Sequence, residues 1–130
     1  MALLVAVADD VSDRVLETGV RLGRAFGEPL SVVHLTAEET AGATERELRD
    51  RIESTLSERS IEYSVELEYV ADGSTTAVAD QLGEIAADTE VNHIVVGHRS
   101  KGLLGRLLTG NTAVEVARGA DIPVTIVPEA

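Results

Sequence analysis

The residues with the clearest chemical character lie in one stretch, GHRSKGLLGRLLTGNT, residues 97–112. Gly97, Gly102, Gly105 and Gly110 are four of the eleven glycines in the chain. Glycine admits positive φ and lets a ligand approach the backbone closely. Gly110 is followed by Asn111 and Thr112, residue types suited to opening a helix. The first amides of a helix lack intrahelical partners and lie at its positive end, where they hold anions. Arg99 and Lys101 add two cations to a chain of 11 basic and 23 acidic residues, net charge −12. Local positive charge against that background, beside a glycine-rich turn into a helix, is the chemistry of phosphate binding.

Other constellations are weaker. His34, His93 and His98 lie in or next to different apolar runs, and no pair has metal-ligand spacing. His34 and His93 read as strand histidines, and His98 as a loop residue within reach of a phosphate. The chain has no cysteine, so thiolate chemistry and disulfides are absent. No Ser-His-Asp arrangement, nucleophile elbow, Walker motif or HxGH motif is present. The enzyme reading therefore extends at most to slow hydrolysis of a bound nucleotide, with Asp9 or Asp10 helping to hold Mg²⁺.

Five apolar segments and four helical ones must position these residues. Residues 3–7 form a continuous apolar run, as do LSVVHL (30–35) and HIVV (93–96). Such runs suit strands covered on both faces. IEYSVELEY (61–69) instead alternates strictly, with one wet face, and belongs at a sheet edge. The last strand, IPVTIV, begins with Ile122 and ends with Val127; its Pro123 cannot donate to a ladder, which makes it an edge too. Between the strands, Val15, Gly19, Leu22, Gly23 and Phe26 recur at helical spacing up to Gly27. The two glycines on that face let the helix backbone lie close to the sheet. Leu48, Ile52 and Leu56 mark a helix over 43–58, with Thr44 and Glu47 at capping-box spacing. Val78, Leu82 and Ile85 mark a third, and a fourth runs from about Asn111 to Arg118.

The order βαβαβαβαβ gives a parallel sheet with helices on both faces. The third and fifth strands are edges, which selects an open five-stranded sheet of order 3-2-1-4-5. The whole chain, 1–130, reads as one domain. Ligands bind beyond the carboxyl ends of the strands where the winding reverses, here between strands 1 and 4. Strand 1 ends at Ala8, Asp9 and Asp10; strand 4 ends at Val96 and Gly97, so loop 97–110 overhangs that crevice.

At this point the sequence resembles the universal stress protein family over nearly its whole length. The pieces that carry the likeness are LLVAVADD, SVVHL, HIVVGHRSKGLLGRLLTGN and DIPVTIVP. The ATP-binding pattern of the family is Gly, two residues, Gly, nine residues, Gly, then Ser or Thr. It falls on Gly97, Ser100, Gly110 and Asn111, so Ser100 stands for a glycine and Asn111 for a hydroxyl residue. Asn111 keeps a polar cap and Thr112 supplies a hydroxyl one place later. The resemblance implies ATP as ligand, with Mg²⁺, between strands 1 and 4. An Asp after strand 1 would meet the adenosine; a gapless reading puts Ala8 there, and a one-residue shift, which we favour, puts Asp9. Leu35 and Val96 match the apolar positions around adenine. A homodimer through the last strand is also implied.

Two further readings stay in view. A dimeric member without nucleotide would act through protein contacts, with Leu103, Leu104, Leu107 and Leu108 as an apolar patch. A phosphoacceptor receiver domain would use Asp9, Asp10 and Asp72, but it needs a Lys after strand 5, where the chain reads IVPEA. The acidic charge argues against nucleic-acid and anionic-membrane partners. No apolar run approaches the roughly 18 residues of a membrane span, and MALLVAVADD lacks a basic n-region. A cytoplasmic location follows as the expectation. Ten Arg, one Lys and 23 carboxylates suit a salt-adapted, haloarchaeal-type interior, where counterions screen self-repulsion.

Overall fold

The continuous apolar runs become inner strands and the alternating one becomes an edge. A computed structural model describes residues 1–7, 13–36, 43–70, 74–99 and 110–129. Its elements are β1 (Ala2–Val7), α1 (Asp13–Phe26), β2 (Leu30–Thr36), α2 (Ala43–Ser57), β3 (Tyr63–Tyr69), α3 (Thr75–Asp88), β4 (Val91–Arg99), α4 (Gly110–Gly119) and β5 (Val124–Glu129). The strands form one sheet of order β3-β2-β1-β4-β5, parallel throughout. This is the expected α/β architecture, with β3 and β5 outermost.

Two core layers flank the sheet. Leu3, Val5 and Val7 of β1 pack with Val15, Leu16 and Val20 of α1 and with Ile52 and Leu56 of α2. Leu4 and Ala6 face the other way, against Val78, Leu82 and Ala86 of α3 and Ala113 and Val116 of α4. The period-two alternation of side chains along β1 thus feeds both layers. Right-handed crossovers require the change of face: α1 and α2 lead outward on one side, α3 and α4 on the other.

The glycines of α1 do what their spacing predicts. A Cβ at Gly19 would lie 2.8 Å from Val5 Cγ2, and one at Gly23 would lie 2.7 Å from Ile61 Cδ1 and 2.9 Å from the Glu28 carbonyl oxygen. The helix ends on Gly27 at φ +67°, with Glu28 N–H donating to the Gly23 carbonyl (2.8 Å) and Gly27 N–H to that of Arg24 (3.3 Å). These paired bonds are the Schellman closure that favours glycine at this position.

Several boundaries differ from expectation. Phe26 closes the apolar spacing of α1 yet is 53% exposed; it ends the helix and its ring lies beside His93 rather than in the core. Tyr69 is likewise exposed although its alternation puts it on the covered face; it is the last residue of an edge strand. α2 starts at Ala43, so Thr44 lies inside the helix rather than at its cap. β4 runs past Gly97 to Arg99 because His98 and Arg99 pair with Pro128 and Glu129. β5 accordingly starts at Val124, and Ile122 and Pro123 precede it. Pro123 still contributes, since its carbonyl accepts from Ile94 N–H at 3.0 Å. The turn after β3 at Asp72, and the leucines at 103, 104, 107 and 108, lie outside the described residues.

Candidate functional site

The winding reverses between β1 and β4, which pair through Val5–Val95 and Ala6–Val96. Their carboxyl ends, with that of β2, form the shelf on which a crevice ligand would rest. Val7 is buried at the end of β1, and Gly97 is buried two residues before the end of β4. Gly97 pairs with Val127 inside the ladder instead of leaving the strand. The chain then returns at Gly110, the first residue of α4. The amides that open α4 are those of Gly110, Asn111 and Thr112, as the spacing requires.

The predicted side chains fall into three groups. Leu35 and Val96 are fully buried and belong to the layer packed against α3 and α4. Thr112, 1% exposed, is turned into the protein beside Ala113. Ala8, Asp9, Asp10, Ser100 and Lys101 lie outside the described residues, as do the side chains of His98, Arg99 and Asn111. Thr36 is one site-adjacent residue that pattern reading did not single out. It is 1% exposed at the end of β2, and its carbonyl accepts from Val70 N–H at 2.8 Å. A polar residue closing an apolar run at a strand's carboxyl end is the signal that marks it. Among the described residues no group of three His, Asp or Glu side chains could hold a metal ion. No helix of the described residues is long and apolar enough to cross a membrane.

His34 lies near the carboxyl end of β2, paired with Val7, whereas His93 lies at the opposite end of its strand, away from the crevice. His34 is 3% exposed within β2. His93 lies at the amino end of β4, its Nε2 at 2.7 Å from Thr125 Oγ1, and its ring centroid 5.8 Å from that of Phe26. Beside it, Asn92 has no opposite number on β1, because Ala2 pairs with Val91 and Leu3 with His93. This bulge re-aims the Asn92 side chain, whose Nδ2 donates to Glu28 Oε1 at 2.6 Å. Burial lowers the His93 pKa below its ordinary 6.5, partly opposed by the Glu28 carboxylate. The folded protein therefore takes up this proton less readily than the unfolded chain. The stability it contributes is present above pH 6.5 and is lost as pH falls toward the lowered folded value. Thermal melts between pH 7.5 and 5 should show that loss, and His93→Gln should flatten the profile across the window. An unchanged slope in the variant would contradict the assignment.

The family model of the universal stress proteins matches residues 1–128. No curated protein matches the chain. Among solved structures, a universal stress protein from Archaeoglobus fulgidus shares 24% identity over 98% of each chain, with a TM-score of 0.73. A universal stress protein from Archaeoglobus fulgidus in complex with dAMP shares 21% identity over 98% of this chain and 97% of its own, with a TM-score of 0.71. A universal stress protein in complex with cAMP shares 23% identity over 99% of this chain and 98% of its own, with a TM-score of 0.65. These likenesses extend over the whole sheet and all four helices. Strand order, loop spacing and the family match agree: the chain belongs to the universal stress protein family.

Proposed function

We propose that this protein is a regulatory stress-response domain that binds an adenine nucleotide, ATP, beyond the carboxyl ends of β1 and β4. The observation that supports this most is the reversal of winding between those strands, with α4 beginning at Gly110 on the same side. Relatives of the same fold solved with dAMP and cAMP support the ligand class. In this reading Asp9 meets the adenosine, or Ala8 if the register at β1 is gapless. Leu35 and Val96 form the floor beneath the base. Gly97, Ser100 and Gly110 let the backbone approach the phosphates, while Arg99 and Asn111 supply side-chain donors and Thr112, its hydroxyl buried, supplies its main-chain amide at the start of α4. Mg²⁺ would arrive with the phosphates, whose oxygens suit it better than a protein cage does. The working unit is a cytoplasmic homodimer joined through the exposed edge of β5, in a salt-adapted cell.

The strand 1 register is open to direct test. Asp9→Ala should weaken ATP affinity about tenfold, the usual cost of losing a charged hydrogen-bond partner, while Asp10→Ala should leave it nearly unchanged. Titration of both variants decides between them. A loss confined to Asp10→Ala would shift the register by one residue.

A second reading, a dimer that works through protein contacts without nucleotide, also has an observation behind it. Leu35 and Val96 are already fully buried in the core, and Ser100 and Asn111 depart from the ATP-binding pattern.

A further inference from the structure

The negative charge of the chain is unevenly shared between its two helical layers. α1 and α2 carry six Arg and six carboxylates and are formally neutral, whereas α3 and α4 carry Asp80, Glu84, Asp88 and Glu115 against Arg118 alone. Arg118 is also engaged, its Nη1 lying 3.3 Å from Glu115 Oε1.

Between α3 and α4 runs an open cleft of about 580 Å³. It leads into a second recess of about 230 Å³ that shares Gly83, Ala87, Ile94, Gly119 and Ala120 with it. The floor is lined by the small residues Ala79, Gly83, Ala87 and Gly119, with the buried Ile94 and Val116 beneath them, and the rim bears Asp80, Glu84 and Glu115 beside Arg118. Glu90 and Asp121 continue the acidic rim at the lower recess. The positions that α3 contributes, from Thr76 to Ala87, follow one helical face over three turns, roughly 16 Å at 1.5 Å per residue.

The glycines here differ from those of α1. A Cβ at Gly83 or Gly119 would meet nothing within 4 Å, and neither residue has positive φ. Nothing in the fold itself requires glycine at Gly83, in the middle of α3, where alanine would be the better helix former. What glycine does provide there is a floor low enough for another backbone to approach.

We propose that this groove receives a basic amphipathic helix of a partner protein. Its apolar side chains would fill the cleft between α3 and α4, and its Lys and Arg would lie along Asp80, Glu84, Glu90 and Asp121. A helix seated in a groove presents anchors at the spacing that three turns of α3 offer. Charge complementarity on this face, and its absence on the α1/α2 face, sets which surface is used. The proposal does not rest on nucleotide binding, because none of the residues lining the groove is among those proposed to hold the nucleotide.

The test uses a fluorescein-labelled synthetic peptide of about four helical turns, Leu and Ala on one face and Lys and Arg on its flanks. Anisotropy is read at moderate salt, and amide shifts of the protein locate the contact. The basic peptide should bind, with shifts on α3 and α4, while a counterpart carrying Glu for Lys and Arg should not. Gly83→Ala should raise the melting temperature yet weaken binding about tenfold. Asp80→Lys with Glu84→Lys should weaken it at least as much. Four results would overturn the proposal. These are no binding at millimolar peptide, shifts on α1 and α2 instead, spermine displacing the peptide at equal concentration, or self-association that Gly83→Ala abolishes.

Discussion

Gly110→Val should abolish ATP binding while the melting temperature changes little. Gly110 is the first residue of α4, so its own amide and the next two have no intrahelical carbonyl to reach. In the proposed site those amides face the phosphates, and glycine leaves the approach free. A β-branched side chain puts carbon where a phosphate oxygen must sit. Val at the start of a helix costs the fold little, because the propensity difference between Gly and Val is only a few tenths of a kcal/mol. The expected result is therefore loss of at least about a hundredfold in affinity, roughly 2.7 kcal/mol, with cooperative unfolding retained. Titration and a thermal melt on the same preparation read both. Unchanged affinity would remove Gly110 from the site.

Gly23→Val should have the opposite character, with large damage to the fold. The space beside Gly23 is closed on three sides, by Ile61 Cδ1 at 2.7 Å, the Glu28 carbonyl oxygen at 2.9 Å and Leu30 Cδ2 at 3.0 Å. Two of these are side-chain ends that can yield. The carbonyl cannot yield cheaply, because Glu28 belongs to the turn whose N–H closes α1 onto Gly23 itself. Overpacking of this kind costs about 3 kcal/mol, a fall of about 10 °C in melting temperature for a chain of this size. Gly83 is the internal control, since it is also helical but opens onto free space. A valine at Gly23 that melts like the native chain would contradict the close approach of α1 to the β2 entry.

The sheet order is legible because two different physical signals mark its two edges. The alternation of IEYSVELEY reports one wet face, and β3 is indeed outermost. The signal for the other edge is Pro123, which lies just before β5. The proline inside that strand is Pro128, opposite His98. The edge position of β5 thus agrees with expectation, while the residue that marks it is a different one. The end of β4 is not legible from hydrophobicity, because the ladder continues through His98 and Arg99 as long as β5 offers partners. Backbone pairing, not side-chain polarity, sets that boundary.

The candidate site is legible as spacing and less so as orientation. The glycine frame places α4 within one residue of its start, since helix entry depends on local backbone chemistry. Which side chains point outward depends on the phase of α4 and on the packing of its first turn. Thr112 illustrates this: the sequence offers its hydroxyl to a phosphate, and the fold buries it to 1% exposure beside the α3 layer. Leu35 and Val96 likewise read as ligand contacts by position and are core residues by burial. Strand-end apolar positions serve both purposes, and sequence alone cannot divide them.

The account turns on whether the crevice beyond β1 and β4 takes a nucleotide. The most direct measurement is calorimetric titration with ATP and Mg²⁺ in high-salt buffer, after any co-purified nucleotide has been stripped. The account predicts one site per chain with a dissociation constant on the order of micromolar, about −8 kcal/mol. Absence of heat up to millimolar ATP would contradict it and leave a dimer acting through protein contacts.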